Sequence, residues 1–293
     1  MTIGLEQALP NKRATRRAFD RARDFDGASF IHDAARERLL ERLELVDLKP
    51  RTVVDLGCAT GRGAAALAAR YPAAHVLAVD SSAGMLRATA ARAIPGVAAV
   101  AADAERLPLP PYSVELVFAN LVLPWCRPDF VFAEAARVLG AGGVFLFATL
   151  GPESLAELRR AFGAVDNAIH VHAAFDMHDL GDLALKAGLA EPVLDVDRLA
   201  VTYAEPAALW RDLKAVAGSN VAGGRRRTLT GPRRWSRFEA GLAPREGERF
   251  AVTVELIFGQ AFGRGEMPTR RRVGSVTEVA VPISRIGRLT EST

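Results

Sequence analysis

Apolar and polar positions alternate in blocks through the first half of the chain. Short runs rich in Val, Leu and Ala each end at a polar residue or a turn signal, which is typical of buried strands. These runs lie at residues 53–56, 75–80, 97–102, 114–119 and 144–149. Segments of helical spacing separate them, and strands that alternate with helices predict an α/β fold with a mostly parallel sheet.

The second half of the chain predicts two further strands. Residues 191–203 alternate between apolar and polar positions, and residues 250–258 form a strongly β-like run. A helical pattern and a stretch rich in Gly, Arg and Pro fill the space between them. We interpret residues 204–247 as an insertion before the last strand of the sheet, not as a second domain.

The predicted organisation has three parts. Residues 1–50 hold leading helices, residues 51–262 form the main domain, and residues 263–293 form a basic tail that we expect to be poorly ordered. Leading helices of this kind commonly lie over the mouth of a binding site, so we expect a lid. Phe19, Phe25 and Phe30 either line this lid or pack against the body, and packing is the favoured interpretation.

Composition indicates an ordinary soluble protein. Of the 293 residues, 49% are hydrophobic and 25% are charged, and no apolar run approaches the roughly 20 residues of a membrane helix. The first 30 residues contain no apolar export segment. With only Cys58 and Cys126, no disulfide framework is expected. These features predict a cytoplasmic protein.

Basic residues concentrate near the C-terminal end. From Trp210 onward, 16 basic residues accompany eight acidic ones, whereas the preceding residues hold 22 basic against 26 acidic. A bias toward Arg explains this distribution as well as a basic surface for an acidic partner does. Both interpretations stay open at this point.

The motif that organises the chain lies at residues 53–63. An apolar run reaches Asp55, passes a loop containing Gly57, Ala59 and Gly61, and opens into a helix. Glycines there allow close approach of a ligand to the backbone. Acids follow two later strands as Asp80, 19 residues beyond Gly61, and Asp103. An acid at the tip of the second strand is where a ribose diol is held.

The order Asp-x-Gly-x-Ala-x-Gly differs from the dinucleotide loop, and it resembles motif I of the class I S-adenosylmethionine-dependent methyltransferases. That resemblance implies a seven-stranded Rossmann-like sheet with an antiparallel last strand, and S-adenosylmethionine as cofactor. The expected cofactor-binding residues are Asp55, Gly57, Cys58, Ala59, Gly61, Asp80, Ser81, Met85, Asp103, Ala104, Glu105 and Asn120.

Three histidines near residue 175 suggest a metal site. Alternation would place His170 and His172 on one face of an extended segment, close to two acids. Against this, Asp176 followed by Asp179 fits the start of a helix, with His178 exposed in its first turn. We favour the helix start and expect no bound metal.

The chain also resembles a narrower family, the malonyl-acyl carrier protein O-methyltransferases of biotin synthesis, and the segments after residue 150 are the most discriminating. The resemblance spans about residues 15–262 and rests on segments that a cofactor loop does not share. These segments are Arg17 to Ala22, Asn120-Leu121, Trp125-Cys126, Gly151 to Leu155, Asp176 to Asp182, Tyr203, Asp212 to Lys214, Asn220 and Leu229 to Gly231. It implies esterification of the free carboxylate of a malonyl thioester on acyl carrier protein or coenzyme A.

Such a reaction needs little from the chain beyond alignment. A carboxylate is already ionised at pH 7, so no general base is required and none is predicted. Tyr203 and Arg211 are the candidate contacts of the substrate carboxylate. The arginines of the insertion are candidates for the acidic carrier protein: Arg225, Arg226, Arg227, Arg233, Arg234 and Arg237.

A paralogue with another substrate and two alternative functions remain. Phe25, His32 and Pro124 stand where the family commonly has Tyr, Gln and Gln, which leaves room for a paralogue. The Phe19-Asp20-Arg21 opening is also similar to respiratory complex I assembly factors that hydroxylate an arginine. A nucleic-acid-associated protein is the weaker alternative, because the basic stretch lacks interleaved aromatic residues.

Overall fold

Seven strands form one sheet in the computed structural model, which describes residues 9–242, 249–265, 270–273 and 276–279. The strands are β1 (Thr52–Leu56), β2 (His75–Asp80), β3 (Val97–Ala101), β4 (Val114–Asn120), β5 (Leu139–Leu150), β6 (Ala190–Tyr203) and β7 (Phe250–Phe262). Their order is β3-β2-β1-β4-β5-β7-β6. Strands β1 to β5 are parallel, and β7 is antiparallel to both of its neighbours. The predicted sheet is confirmed.

The strand order reverses direction between β1 and β4. From β1 the chain moves outward through β2 and β3, then returns to add β4 and β5 on the other side. Open α/β sheets bind ligands beyond the C-terminal ends of the strands at such a point. Asp55, Asp80 and Asn120 lie at or near the C-terminal ends of β1, β2 and β4. The topology therefore gathers them on one edge of the sheet.

Ten helices accompany the sheet in the described part of the chain. They are α1 (Lys12–Arg21), α2 (Phe25–Ala28), α3 (Phe30–Arg42), α4 (Arg62–Arg70), α5 (Ala83–Ala91), α6 (Pro128–Val138), α7 (Ala156–Gly163), α8 (Met177–Ala187), α9 (Pro206–Ala215) and α10 (Pro232–Leu242). Short 3₁₀ turns follow at Leu43–Leu45 and Leu123–Trp125. Helix α1 begins where the side chain of Asn11 accepts a hydrogen bond from the Ala14 N–H at 3.0 Å.

Both faces of the sheet are buried, as near-continuous apolar strands require. One face packs against α6 and α8, with Phe132, Phe145 and Phe147 stacked edge to face at its centre. The other face packs against α3 and α4 through residues such as Leu39 and Leu67, which are fully buried. This double covering leaves the strand ends as the place where polar groups can meet a ligand.

The start of β5 differs from the expectation. The sequence predicts this strand over residues 144–149, yet β5 begins at Leu139 and includes residues 140–143 with their three glycines. Pairing with β4 shifts register between Val114 and Leu116, which marks a bulge. Gly142 adopts φ +73° and donates its N–H to the carbonyl of Gly263 at 2.9 Å. The glycines therefore continue the strand as a distorted extension.

The insertion between β6 and β7 is confirmed as helical. Helices α9 and α10 pack with α7 around a third apolar cluster that contains Leu158, Leu209 and Phe238. In the tail, Arg270–Val273 (β8) pairs with Val276–Val279 (β9) as a two-stranded antiparallel sheet. Most of residues 263–293 lie outside the described residues, so their expected disorder stays a prediction. Across the described helices, none has the length and apolarity to cross a membrane.

Candidate functional site

A cavity of about 530 Å³ opens at the C-terminal ends of β1 to β4, beneath α1 to α3. Ten of the predicted cofactor residues line it: Asp55, Gly57, Cys58, Ala59, Asp80, Ser81, Asp103, Ala104, Glu105 and Asn120. Gly61 and Met85 do not line the cavity. Such a volume suits a small-molecule cofactor together with part of a substrate.

The loop after β1 approaches the cavity because its glycines allow it. Gly57 adopts φ +72°, and a Cβ there would lie 2.5 Å from the side chain of Val122. The N–H groups of Gly57 and Cys58 both donate to the carbonyl of Val79, at 2.8 and 3.0 Å. A larger residue at position 57 would push the loop away from the strand ends.

Ala59 holds a left-handed conformation, with φ +46°, although it carries a Cβ. Its N–H donates to Asp80 Oδ2 at 3.1 Å, and its carbonyl accepts from Thr89 Oγ1 at 2.9 Å. These two hydrogen bonds hold a conformation that costs an alanine roughly 1–2 kcal/mol. A Cβ at Gly61 would lie only 2.7 Å from the side chain of the same Thr89.

Gly61 and Met85 lie behind the lining. Gly61 is the N-cap of α4, with φ +83°. Met85 is buried in α5 and its N–H donates to the capping hydroxyl of Ser82 at 3.2 Å. Neither residue lines the cavity, so their contact with the cofactor stays a prediction.

Two buried carboxylates face the cavity with unusual electrostatics. Burial raises the pKa of Asp80 to about 6, although backbone N–H groups of Ser82 and Ala59 donate to it at 2.8 and 3.1 Å. Burial, with a contribution from the charge of Asp80, raises the pKa of Asp55 to about 7. A carboxylate that is costly to ionise in the empty site is ready to pair with a cationic or hydroxyl-bearing ligand.

The tip of β3 presents a second acidic pair, which the lid helix partly neutralises. Lys12 of α1 contacts Asp103 at 2.5 Å and Glu105 at 2.6 Å. Burial lowers the pKa of Lys12, but its hydrogen bonds to these carboxylates outweigh this and raise it overall. The side chain of Asp103 also accepts the N–H of Glu105 at 3.0 Å. One cation thus ties the first lid helix to the strand end.

A cationic cluster forms the roof above the loop after β1. Asp33 of α3 accepts from Arg36 at 2.5 Å and from Arg62 at 2.7 Å, and Arg62 also donates to Ser29. Two guanidinium groups share one carboxylate, so the cluster carries a net positive charge. Because these residues line the cavity, that charge is available to an anionic group of a ligand.

Other polar links hold the lid helices to the cofactor loops. Asp20 accepts from the Ser82 hydroxyl at 2.7 Å and from the Gly84 N–H at 3.1 Å. Asp26 accepts from the Thr60 hydroxyl at 2.5 Å and pairs with Arg92. These contacts tie α1 and α2 to the cofactor loops, whereas α3 is packed on the sheet through buried residues such as Leu39.

Aromatic side chains enclose the remaining wall. Phe19, Phe25 and Trp125 line the cavity, with Phe19 edge-on to Trp125 at 5.1 Å. Packing against the body was the favoured interpretation for the phenylalanines. Phe19 and Phe25 line the cavity instead of only packing, although Phe25 is also buried in the core. Phe30 is 44% exposed and does not line the cavity. This apolar wall limits the access of water to the reacting groups.

Four buried polar atoms that line the cavity have no hydrogen-bond partner. They are Thr15 Oγ1, His32 Nδ1, Asp55 Oδ2 and Asn120 Oδ1. Burial lowers the pKa of His32 to about 4, so its ring is neutral at pH 7. Unpaired buried polar groups cost about 1–3 kcal/mol each, and a polar ligand in the cavity would satisfy them. This set of hydrogen-bond donors and acceptors therefore fits a cofactor with ammonium, carboxylate and hydroxyl groups.

Neither Tyr203 nor Arg211 lines this cavity, so the lining gives no support to their predicted contact with the substrate carboxylate. The Tyr203 hydroxyl contacts Asp212 at 3.1 Å and its ring stacks on Phe250. Arg211 is exposed and pairs with Glu205 at 3.5 Å. Tyr203 ends β6, which is the edge strand farthest from β1, so its distance from the cavity follows from the strand order.

The histidines do not form a metal site in the described part of the chain, where no cluster of three ligand-type side chains occurs. Asp176 accepts the N–H of Asp179 at 2.8 Å, which confirms the helix start, and His178 is exposed. His170 stacks on Phe162 at 3.8 Å. His172 accepts the N–H of Val221 at 2.8 Å.

Sequence reasoning missed the contributions of α1 and α3. Lys12, Thr15, Arg16 and Phe19 line the cavity at a spacing of three to four residues, which is one face of a helix. That spacing was available in the sequence as a signal. The pairing of Lys12 with Asp103 joins residues 91 apart, and no local pattern reveals such a contact.

Comparisons with known proteins agree with this architecture. Residues 54–147 match the family described as Methyltransferase domain. The chain is 41% identical over 279 residues to the malonyl-[acyl-carrier protein] O-methyltransferase of Laribacter hongkongensis, a match that covers 91% of this chain and 94% of that one. With the enzyme of the same name from Halorhodospira halophila it shares 40% identity, over 98% and 99% of the two chains.

A solved structure supports the fold alone. The YcgJ protein of Bacillus subtilis has a TM-score of 0.58 and 16% identity, over 78% of this chain and 99% of that one. Membership of a narrower family follows from the sequence relatives, because the two alignments cover 91% and 98% of this chain and so reach well beyond the cofactor loops. The chain is a methyltransferase that depends on S-adenosylmethionine, and it belongs to the family of malonyl-[acyl-carrier protein] O-methyltransferases.

Proposed function

We propose that this enzyme esterifies the free carboxylate of a malonyl thioester carried by acyl carrier protein. The relatives bear this activity in their names. The observation that carries the proposal is one cavity that joins a buried acidic wall at the strand ends to a cationic rim on α1. Esterification hides the charge of the malonyl end, so that fatty-acid enzymes accept it as a primer for biotin synthesis.

The wall residues assign a place to each part of the cofactor. Asp103 and Glu105, at the tip of β3, would hold the adenine end, and Asp80 would accept from the ribose hydroxyls. The free Oδ2 of Asp55 would accept from the ammonium group. The Asp33, Arg36 and Arg62 cluster would balance the carboxylate of the methionyl part. These assignments use each polar group for a ligand group of complementary charge. The adenine, ribose and ammonium positions lie in that order at the ends of β3, β2 and β1, which are neighbours in the sheet.

Catalysis in this site rests on alignment. The cofactor, when bound, supplies an electrophilic methyl group on a sulfonium. Because the substrate carboxylate is ionised at pH 7, the chain needs no general base. The neutral ring of His32 can orient it, because the unpaired Nδ1 can donate a hydrogen bond to the carboxylate when it carries the proton. Phe19, Phe25 and Trp125 exclude water, which strengthens the attraction between the reacting groups.

The substrate carboxylate needs a cation, and α1 provides the candidates. Arg13 and Arg16 line the cavity and are exposed at its rim. Neither forms an ion pair with a carboxylate among the described residues. They replace Tyr203 and Arg211 as the proposed contacts. Arg16→Ala should raise KM for malonyl-pantetheine roughly tenfold, whereas the matched control Arg211→Ala should leave it unchanged.

The arginines of the insertion are a weaker proposal for the carrier protein. Arg226 and Arg234 both lie near Asp166, at 3.5 and 4.0 Å. That shared carboxylate offsets part of their charge. Replacing Arg225, Arg226 and Arg227 together by Glu should raise KM for the carrier-bound substrate without changing cofactor affinity. Unaltered kinetics would remove the insertion from carrier recognition.

Neither alternative function is favoured by the relatives described above. Labelled S-adenosylmethionine distinguishes all three. Incubation with malonyl and acetyl carrier protein should give a base-labile label on the malonyl form alone, because only that form has a free carboxylate. Label on both forms, or on neither, would contradict the proposal. Hydroxylation of an arginine substrate, or salt-dependent retention on DNA, would support the alternatives.

A further inference from the structure

A second cavity, of about 420 Å³, lies on the outer face of α1. Four basic side chains line it, together with small and apolar residues, and no acidic residue does. The lining residues are Ala14, Arg17, Ala18, Arg21, Lys214, Ala217, Ser219, Val221 and Arg225. We call this the outer groove. Its basic side chains suit an anionic ligand, and its volume can hold a ligand larger than a single small ion.

The positive charge of the outer groove is largely uncompensated. Arg17, Arg21 and Lys214 are exposed, and no ion pair joins them to a carboxylate in the described ranges. Arg225 is half-buried and donates to the carbonyl of Ala222 at 3.0 Å. Its charge also contributes, after burial, to the lowered pKa of His172. A cation held in this way is positioned more firmly than a solvated surface arginine.

Helix α1 is the partition between the outer groove and the active-site cavity. Lys12, Thr15, Arg16 and Phe19 face the cavity, whereas positions 14, 17, 18 and 21 face the groove. Both sets follow helical spacing, so they occupy two sides of one helix. The two sites are therefore separated by about one helix diameter, roughly 10–12 Å.

A chain of contacts also joins the two sites around the end of α1. Val221 lines the groove, and its N–H donates to His172 Nε2 at 2.8 Å. The His172 ring packs edge-on against Trp125, with centroids 5.4 Å apart, and Trp125 lines the active-site cavity. The Asn11 N–H, just before α1, donates to the carbonyl of Val221 at 2.8 Å. The insertion and the lid helix thus meet beside the active-site cavity.

We propose that the outer groove docks the acyl carrier protein at the phosphodiester where its prosthetic arm begins. This inference rests on the proposed function, which places a malonyl group at the end of that arm. The carrier is acidic, and the phosphodiester adds a negative charge at the base of the arm. Four cations match both features, and the arm reaches farther than the width of one helix.

The test compares two substrates and two sets of variants. Arg17→Glu with Arg21→Glu should raise KM for malonyl-carrier protein roughly tenfold to a hundredfold, with the largest effect at low salt. Arg17→Ala with Arg21→Ala should give a smaller increase in the same direction. For malonyl-pantetheine, which has neither phosphate nor carrier, KM and kcat should stay at the wild-type values. Cofactor affinity should also be unchanged, which shows that the variants are folded.

The matched control is Arg51→Glu with Lys186→Glu. These exposed residues line neither cavity, and the double variant changes the net charge by the same amount. It should leave KM for malonyl-carrier protein near the wild-type value. If the groove variants match this control, the docking proposal is wrong while the proposed function stands. If the wild-type enzyme methylates neither substrate, the proposed function itself fails. If the wild-type protein is retained on DNA and the groove variants lose this retention with KM unchanged, the groove binds nucleic acid and the docking proposal is also wrong.

Discussion

The two walls of the active-site cavity are built on different principles. The strand-end wall holds Asp55 and Asp80, whose carboxylates are buried and raised in pKa. The roof carries exposed or half-buried side chains such as Lys12, Asp26 and Arg62, which reach the loops through ion pairs. Exposed ion pairs contribute little free energy, typically 0–1 kcal/mol. The wall is therefore a fixed template, whereas the ion pairs that hold α1 and α2 over it add little free energy.

The wall should respond most strongly to substitution. Asp80→Ala removes the acceptor of two backbone N–H groups and of the proposed ribose hydroxyls. Hydrogen bonds to a charged group contribute about 1.5–3 kcal/mol each, so the Kd for S-adenosylmethionine should rise roughly a hundredfold or more. Calorimetric titration measures this change. Asp129→Ala, an exposed acid outside the cavity, is the control. A Kd within about threefold of wild type would show that the wall is not the template.

The raised pKa values predict the pH dependence of cofactor binding. Asp55, with a pKa of about 7, must be ionised to pair with the ammonium group. Affinity for S-adenosylmethionine should therefore fall roughly tenfold between pH 8 and pH 6. Binding should release protons, which is seen as a buffer-dependent heat. Asp55→Asn should remove most of this dependence. Flat affinity across the range would contradict the assignment.

Linkage gives the opposite trend for the protein without ligand. The folded-state pKa values of Asp55 and Asp80 lie above their unfolded values. These two groups therefore stabilise the empty protein as pH falls from about 8 toward 5, because the folded state binds protons more tightly. Thermal unfolding should show a clear dependence on pH for the empty protein and a much flatter one with saturating S-adenosylmethionine, because the bound cofactor keeps Asp55 ionised.

The roof should show a smaller effect. Asp26→Ala breaks the contacts to Thr60 and Arg92, which lie at the exposed edge of α2. Because such contacts contribute at most about 1 kcal/mol, Kd should rise no more than about fivefold. Stopped-flow dissociation rates should account for most of the change, since an unlatched roof opens more often. An effect as large as that of Asp80→Ala would erase the contrast between the two walls.

The smallest predicted effect concerns backbone strain in the wall. Ala59→Gly relieves a left-handed alanine but makes the unfolded chain more flexible. The net stabilisation should be about 0.5 kcal/mol, or roughly 1–2 °C in Tm. Ala66→Gly, within α4, is the matched control and should lower stability by about 1 kcal/mol. A lower Tm for Ala59→Gly would show that the loop depends on the alanine methyl group.

The difference between the strand-end wall and the roof also explains which features could be predicted from the sequence. Asp55, Asp80 and Asn120 stand at strand ends, and the rule that parallel strands end on one edge brings them together without further information. The capping role of Asp176 was also readable, because it depends on residues three positions apart. Local periodicity and sheet topology are enough to predict contacts between residues a few positions apart and between neighbouring strand ends.

Features that depend on long-range packing were not readable. Tyr203 looked suitable for the substrate, but β6 lies at the edge of the sheet because β7 inserts between it and β5. Phe19 and Phe25 looked like ordinary core residues, yet α1 and α2 lie across the strand ends and turn them into the cavity. The placement of a lid helix is set by side-chain contacts 30 to 90 residues away, such as those of Asp26 and Lys12.

The most direct test of the account is a calorimetric titration at pH 8 with S-adenosylmethionine and with its demethylated product. The account predicts saturable heat for both ligands in the wild-type protein, at one site per chain, and its loss in Asp80→Ala. Asp26→Ala should retain the heat with slightly weaker binding. Absence of heat in the wild-type protein, or equal binding by Asp80→Ala, would contradict the claim that the strand-end carboxylates form the cofactor site.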